Sequence, residues 1–221
     1  MTTQADDSSI KPARPYAGKS AQERQNARRL ALVDAAVRLF GEQGFSAVSI
    51  DMICAEAALT KRYFYEAFAS REALLTAAYE SVTREYFQAI LVKMTPHMAD
   101  APKLVRAGLK ETFGFVRRNP AKARLMMVEA MNVRGQLGDM YGARYDDFVE
   151  LLLQVTRPLL GRQAPSDKVF RVMAKAVVGA LIHLCQNWIA TDFAQPVDEL
   201  VEGTERLFAG VGRELGVRGY N

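Results

Sequence analysis

The sequence predicts an all-α protein of about nine helices joined by short loops, and three observations carry that expectation. Apolar residues recur at spacings of three and four along most of the chain. Helix-start residues punctuate it at regular intervals: Ser49, Thr60, Ser70, Asp100 before Pro102, Asn119 before Pro120, and Ser166. No segment alternates with period two for long enough to make a strand.

Each element has its own signature. In residues 28–40, Leu30, Val33, Val37 and Phe40 form a helical stripe, and Gly41 and Gly44 follow where a helix would end. Ser49 caps a short second helix with inner residues Ile50, Ile53 and Ala57, and Asp51 suits its first turn. Thr60 caps a third helix through Phe68, and Ser70 a fourth running into the low nineties. Residues 166–191 would form a helix about 39 Å long. It carries one stripe of Phe170, Met173, Val177, Leu181, Leu184 and Trp188, and a second of Val178, Ile182, Cys185 and Ile189. The last helix repeats the theme with Leu200, Leu207 and Val211. A helix that is apolar on two sides must be covered twice, so these two helices predict a homodimer interface made of Phe170, Met173, Val177, Leu181, Leu184, Leu200, Leu207 and Val211. Packing of both stripes inside one monomeric bundle stays open.

Composition sets the outer limits. The 221 residues are 49% hydrophobic and 24% charged with a net charge of +4, which fits a globular core and excludes fibrous and low-complexity polymers. Two cysteines, Cys54 and Cys185, and two histidines offer neither a disulfide framework nor a metal site, and Cys54 reads as a buried filler. Residues 1–9 are polar and acidic, unlike a secretory leader, and the longest apolar run, 177–185, is far short of the ~20 residues that span a bilayer. The expectation is a cytoplasmic protein without a membrane partner. No nucleophile elbow, HExxH or carboxylate cluster appears, so neither an enzyme nor a cofactor is expected. A loose phosphate-loop match at Ala13 to Ser20 fails because no strand precedes it.

The charge is concentrated. Lys11, Arg14, Lys19, Arg24, Arg28, Arg29 and Arg38 face only Glu23 and Asp34 over the same stretch, so residues 1–25 read as a flexible basic arm that would meet phosphates. The third helix adds to this. At about 100° per residue, Lys61, Arg62, Tyr65 and Glu66 fall on one arc, and Phe64, Ala67 and Phe68 on the other. A helix of two turns needs anchoring, so Phe64 and Phe68 face inward and Lys61, Arg62 and Tyr65 outward. With the helix at 49–56 and a three-residue break, these are the proportions of a helix-turn-helix over 49–68. Lys61 and Arg62 can donate to guanine O6 and N7, and Tyr63 in the first turn can reach a thymine methyl. Glu66 either accepts from cytosine N4 or repels phosphate, and the second reading is favoured. Ser49 and Arg71 open helices whose N–H groups suit phosphate.

The run Ala35-Ala36…Leu39-Phe40…Gly44-Phe45…Ser49-Ile50…Ile53…Ala57…Thr60-Lys61…Phe64-Tyr65…Phe68…Ser70-Arg71-Glu72…Leu74 resembles the DNA-binding domain of the tetracycline-repressor (TetR) family of bacterial transcriptional regulators. The resemblance implies base reading by Lys61, Arg62 and Tyr63 and phosphate contacts from Ser49, Thr60, Tyr65 and Arg71. It implies a DNA-binding domain at 26–86 and a C-terminal helical ligand-binding and dimerisation domain at 87–221. The expected partners are a double-stranded palindromic operator, a second copy of the chain and an unknown small-molecule effector. Ala58 departs from the family's turn glycine, and a left-handed backbone there would cost an alanine about 1 kcal/mol or more. Candidate pocket residues are Phe113, Met126, Met127, Met131, His183, Asn187 and Trp188. The competing reading is a helical small-molecule-binding protein that never touches DNA.

Overall fold

The computed structural model describes residues 20–132, 136–160 and 165–220, which leaves the expected basic arm and the phosphate-loop match largely outside the described residues. Among them there is no strand. The helices are α1 (Ala21–Gln43), α2 (Ile50–Glu56), α3 (Lys61–Ala67), α4 (Arg71–Met94), α5 (Ala101–Arg118), α6 (Pro120–Arg124), α7 (Ala130–Asn132), α8 (Gln136–Thr156), α9 (Asp167–Ala190) and α10 (Val197–Glu214). A π-helical turn at Leu125–Glu129 joins α6 to α7 without a break, so the described residues follow nine helical rods.

Helix α1 starts seven residues before the apolar stripe that announces it in the sequence. Ser20 and Glu23 form a reciprocal capping box: the Glu23 N–H donates to Ser20 Oγ at 3.1 Å, and the Glu23 carboxylate accepts from the Ser20 N–H. The first two turns are polar on every side, so periodicity could not reveal them. Of the expected inner stripe, Val33, Val37 and Phe40 are buried and Leu30 is 62% exposed; Leu32, Ala35, Ala36 and Leu39 complete the buried face. Ser49, Ser70 and Asp100 cap α2, α4 and α5 by accepting from the N–H three residues on. Thr60, Asn119 and Ser166 occupy cap positions without a side-chain cap bond; Asn119 Nδ2 turns back to donate to Phe115 O.

One buried cluster runs from Leu32 and Phe40 of α1 through Leu74 and Tyr86 of α4 to Phe113 of α5 and Trp188 of α9. The expected domain boundary at residue 86 therefore falls inside α4 and inside a continuous core. Where α1 crosses α6, Gly41 lies so close that a Cβ would stand 2.1 Å from Ala121 O, so any larger residue would force the two helices apart. A second cluster at the far end joins Leu104 of α5, Val149 and Leu153 of α8, Phe170 and Val178 of α9, and Leu215 and Val217 of the C-terminal segment.

The residues of the expected dimer stripe divide by burial within the chain. Phe170, Leu181 and Leu200 are buried within the chain, Met173, Val177, Leu184 and Val211 are half-buried, and of the eight expected residues only Leu207 is exposed. The strongest apolar sides of α9 and α10 are used by α5 and α8. What remains on the surface is a third face of α9, with Val169 at 50% and Val172 at 67% exposure, followed by Ala176 and Ala180. Asp167–Ala190 is also long and apolar enough, by length and composition, to cross a membrane, although most of that length is neither charged nor buried.

Candidate nucleic-acid interface and cavity residues

Helix α3 is held from behind by aromatic burial. Phe64 is fully buried and Phe68 nearly so, with ring centroids 6.2 Å apart. Two arginines of α1 complete the anchorage. Arg29 donates to Ala67 O at 2.9 Å and lies over the Phe68 ring, and the Arg28 guanidinium sits 4.3 Å from the Tyr63 ring centroid. Part of the basic charge that the sequence assigns to phosphate contact is thus spent on positioning α3, and Arg38 is likewise paired with Glu56. Only an i to i+35 relationship links Arg28 with Tyr63, so no local pattern could reveal it.

The α2–α3 turn takes the left-handed conformation in spite of its alanine: Ala58 has φ +52°. Leu59 N–H donates to Cys54 O at 2.8 Å and closes the α2 terminus. Cys54 is buried, and burial together with the Asp51 charge pushes its thiol pKa up, which fits a packing role.

On the outer side, Lys61, Arg62 and Tyr65 are all exposed, as the helical wheel requires. Tyr65 is 59% exposed and stands edge-to-face on Phe64. Tyr63 lies half-buried, with one face of its ring covered by the Arg28 guanidinium. The two cations are not bare. Lys61 Nζ contacts Asp51 Oδ1 at 2.8 Å, and Arg62 Nε donates to Glu66 Oε1 at 2.9 Å. These carboxylates hold the lysine and arginine pKa values above their ordinary range. Glu66 is therefore a partner of Arg62, a role neither sequence reading of it foresaw.

Of the candidate phosphate contacts, Ser49 accepts from Met52 N–H and keeps its own hydroxyl proton to donate, and Thr60 is exposed with no cap bond. Arg71 is largely committed elsewhere. Its guanidinium donates to Val48 O at 2.6 Å and lies over the Phe45 ring at 4.2 Å, which fastens α4 to the turn before α2.

The cavity candidates separate. Met126 and Met127 line a cavity with Tyr79, Tyr86, Phe148 and Cys185. Phe113 and Trp188 do not; both are fully buried and meet edge-to-face at 5.8 Å, and the indole N–H donates to Gln195 O. His183 and Asn187 are exposed and Met131 is 49% exposed, so these three lie on the outside of the chain. The error has one cause: His183 and Asn187 sit a turn apart on the face of α9 opposite to Cys185, and the sequence could not say which face the core takes.

The family model for bacterial regulatory proteins of the tetR family matches residues 32–78. An HTH-type transcriptional regulator of Mycobacterium tuberculosis, itself uncharacterized, is 34% identical over 92 residues, which is 42% of this chain and 45% of that relative. The match thus spans less than half the relative's length. Among solved structures, the regulator FadR from Bacillus subtilis in complex with stearoyl-CoA superposes with a TM-score of 0.67 at 16% identity, covering 86% of this chain and 98% of that one. AibR in complex with isovaleryl coenzyme A and operator DNA gives 0.62 at 19% identity, covering 81% and 97%. These two likenesses speak to the fold. With the helix-turn-helix geometry and the matched N-terminal residues taken together, residues 32–78 are similar to the bacterial regulatory proteins of the tetR family.

Proposed function

We propose that this chain is a sequence-specific DNA-binding transcriptional regulator that represses in its free form, acts as a homodimer on a palindromic operator and responds to a small-molecule effector in its C-terminal helices. The observation that carries the reading is α3 itself: a two-turn helix pinned by Phe64, Phe68, Arg28 and Arg29, with Lys61, Arg62 and Tyr65 exposed. Such anchoring gives base-reading side chains a fixed register in the major groove. Lys61 and Arg62 would leave Asp51 and Glu66 for guanine edges, and Tyr63 would meet bases from the first turn. Ser49, Thr60 and Tyr65 would hold phosphates, and Arg71 would contribute through the N-terminal N–H groups of α4.

The homodimer reading rests on the exposed apolar face of α9, Val169, Val172, Ala176 and Ala180, with Leu207 of α10. A second copy would cover it and set two α3 helices about 34 to 36 Å apart, one DNA turn, or a multiple of that. The site of action is the bacterial cytoplasm, at the nucleoid. The test is a gel shift and footprint with the DNA upstream of the chain's own gene. A protected palindrome is expected, and a folded protein that binds no operator in an unbiased selection would favour the reading as a helical ligand-binding protein.

A further inference from the structure

Three cavities lie end to end through the C-terminal helices. The first, of about 50 Å³, is walled by Tyr79, Thr83, Phe87, Phe148 and Cys185. It meets the second, about 90 Å³, at Phe148 and Leu181. The second shares Leu104, Val105, Leu152, Thr156, Val177 and Phe208 with the third, about 80 Å³. The row separates the two buried clusters of the core from one another over part of its length. Along α9 it extends from Cys185 in the first cavity to Phe170 in the third, a rise of about 22 Å. That exceeds the ~15 Å occupied by one lipid tail in a bilayer about 30 Å thick.

Among the described residues, no charged side chain lines any of the three. Burying an ion there would be prohibitive, so the enclosed part of an occupant is uncharged. Among the described residues, the buried side-chain polar atoms without a partner are Thr83 Oγ1 and Tyr220 Oη. They stand at opposite ends of the row: Thr83 lines the first cavity and Tyr220 the third. Tyr86 and Tyr145, which also face the first cavity, spend their hydroxyls on Thr112 and on Lys175 O. Thr83 is only 5% exposed and also borders a polar surface cleft with Glu80, Arg84 and Asp147, and the half-buried Tyr220 borders another with Arg106, Asp198, Glu202, Glu205 and Arg206. Both clefts have more acidic than basic groups among the described residues, which disfavours an anionic head, and of the two orphan hydroxyls Thr83 belongs to the more deeply buried residue.

From the lining, the length and the orphan hydroxyl, we propose that the three cavities take one long, unbranched, uncharged aliphatic molecule, with a hydroxyl or carbonyl oxygen seated on Thr83 Oγ1 and its tail running toward Tyr220. The proposal deepens the effector part of the regulator reading. Binding is measured on the full chain without DNA, so its failure leaves operator binding untouched and the two remain distinguishable.

The probes are straight-chain primary alcohols from butanol to hexadecanol, matched alkanes, and matched alkyl carboxylates and alkylammoniums, titrated calorimetrically below their aggregation limits. Affinity for the alcohols is expected to rise about fourfold per added methylene until the row is filled. The matched alkane and the charged chains should bind at least roughly tenfold more weakly. Thr83→Val, close in shape, should erase the preference for alcohol over alkane; Thr83→Ser should retain it, and Tyr220→Phe should leave it unchanged. Thermal unfolding of each variant confirms that it is folded. No alcohol binding at any length, a gain that stops once one cavity is filled, equal binding of alkane or of charged chains, or loss of preference in Tyr220→Phe instead of Thr83→Val would each overturn the proposal.

Discussion

The carboxylate of Glu129, at the end of the π-helical turn, accepts a hydrogen bond from the backbone N–H of Phe45 at 2.9 Å, joining positions 84 residues apart. Phe45 follows Gly44, whose φ of +82° ends α1, and its ring carries the Arg71 guanidinium on its face. The same π turn contributes Met126 and Met127 to the first cavity. One five-residue turn therefore touches both the cavity and the hinge between α1 and α2. A π turn is a local distortion of the helical ladder with few alternatives that keep its hydrogen bonds, so a shift at Met126 or Met127 would be felt at Glu129.

Removing that carboxylate should loosen the junction. Glu129→Ala is expected to destabilise the protein by about 1.5–3 kcal/mol, the range for a hydrogen bond to a charged acceptor, and Glu129→Gln by less because an amide oxygen still accepts. Chemical denaturation of the three proteins checks this. Equal midpoints for Ala and wild type would show that the Phe45 N–H finds water at no cost.

Arg62→Ala should abolish operator discrimination while leaving a folded protein, since the side chain is exposed and its ion-pair partner among the described residues is Glu66. Each lost bidentate base contact is worth about 1–3 kcal/mol against a wrong base pair. Glu66→Gln should act in the opposite direction and tighten operator binding, because it frees Arg62 and removes a negative charge from the DNA-facing side. Competition titrations with operator and scrambled DNA separate the two effects; unchanged footprints for Arg62→Ala would end the base-reading role.

At Ala58, φ +52° puts an L-residue where the left-handed region costs roughly 1–2 kcal/mol. Glycine relieves that strain but adds about 0.4–1 kcal/mol of unfolded-state entropy. Ala58→Gly is therefore expected to stabilise by about 0.5–1 kcal/mol, measured by thermal or urea unfolding. A less stable variant would mean the turn is held by contacts that the alanine methyl itself makes.

Leu207→Glu and Val172→Glu each place a charge on the exposed apolar face of α9 and α10. Neither side chain is buried in the chain, so the monomer fold should survive and the sedimenting mass should halve. A variant that sediments like the parent would move the dimer surface elsewhere.

Alkaline pH gives a further check. Burial pushes the Cys185 thiol from 9.0 to about 12, and the Tyr220 phenol from 10.0 to about 12. Above pH 9 the unfolded chain releases protons that the native state retains, so these groups contribute stability that is complete below pH 9 and is progressively lost toward pH 12. Cys185→Ala should flatten part of that decline relative to its own stability at pH 8, and a decline of unchanged shape would show that Cys185 is not part of it.

What the sequence determined by itself is whatever depends on neighbours along the chain. The caps at Ser49, Ser70 and Asp100, the inward Phe64 and Phe68, and the outward Lys61, Arg62 and Tyr65 all follow from periodicity and cap chemistry, because a helix fixes the relative directions of residues three and four apart. The tertiary structure decided which side of an already apolar helix meets the core. It turned His183 and Asn187 outward, buried Phe170 and Leu181, and left Val169 and Val172 for the surface. It also assigned Arg28, Arg29 and Arg71 to aromatic rings and carbonyls instead of leaving them as free charge. Those choices depend on groups brought together by the packing of α1, α3 and α4, and on how α5, α8 and α10 divide the faces of α9, and local spacing carries no record of either.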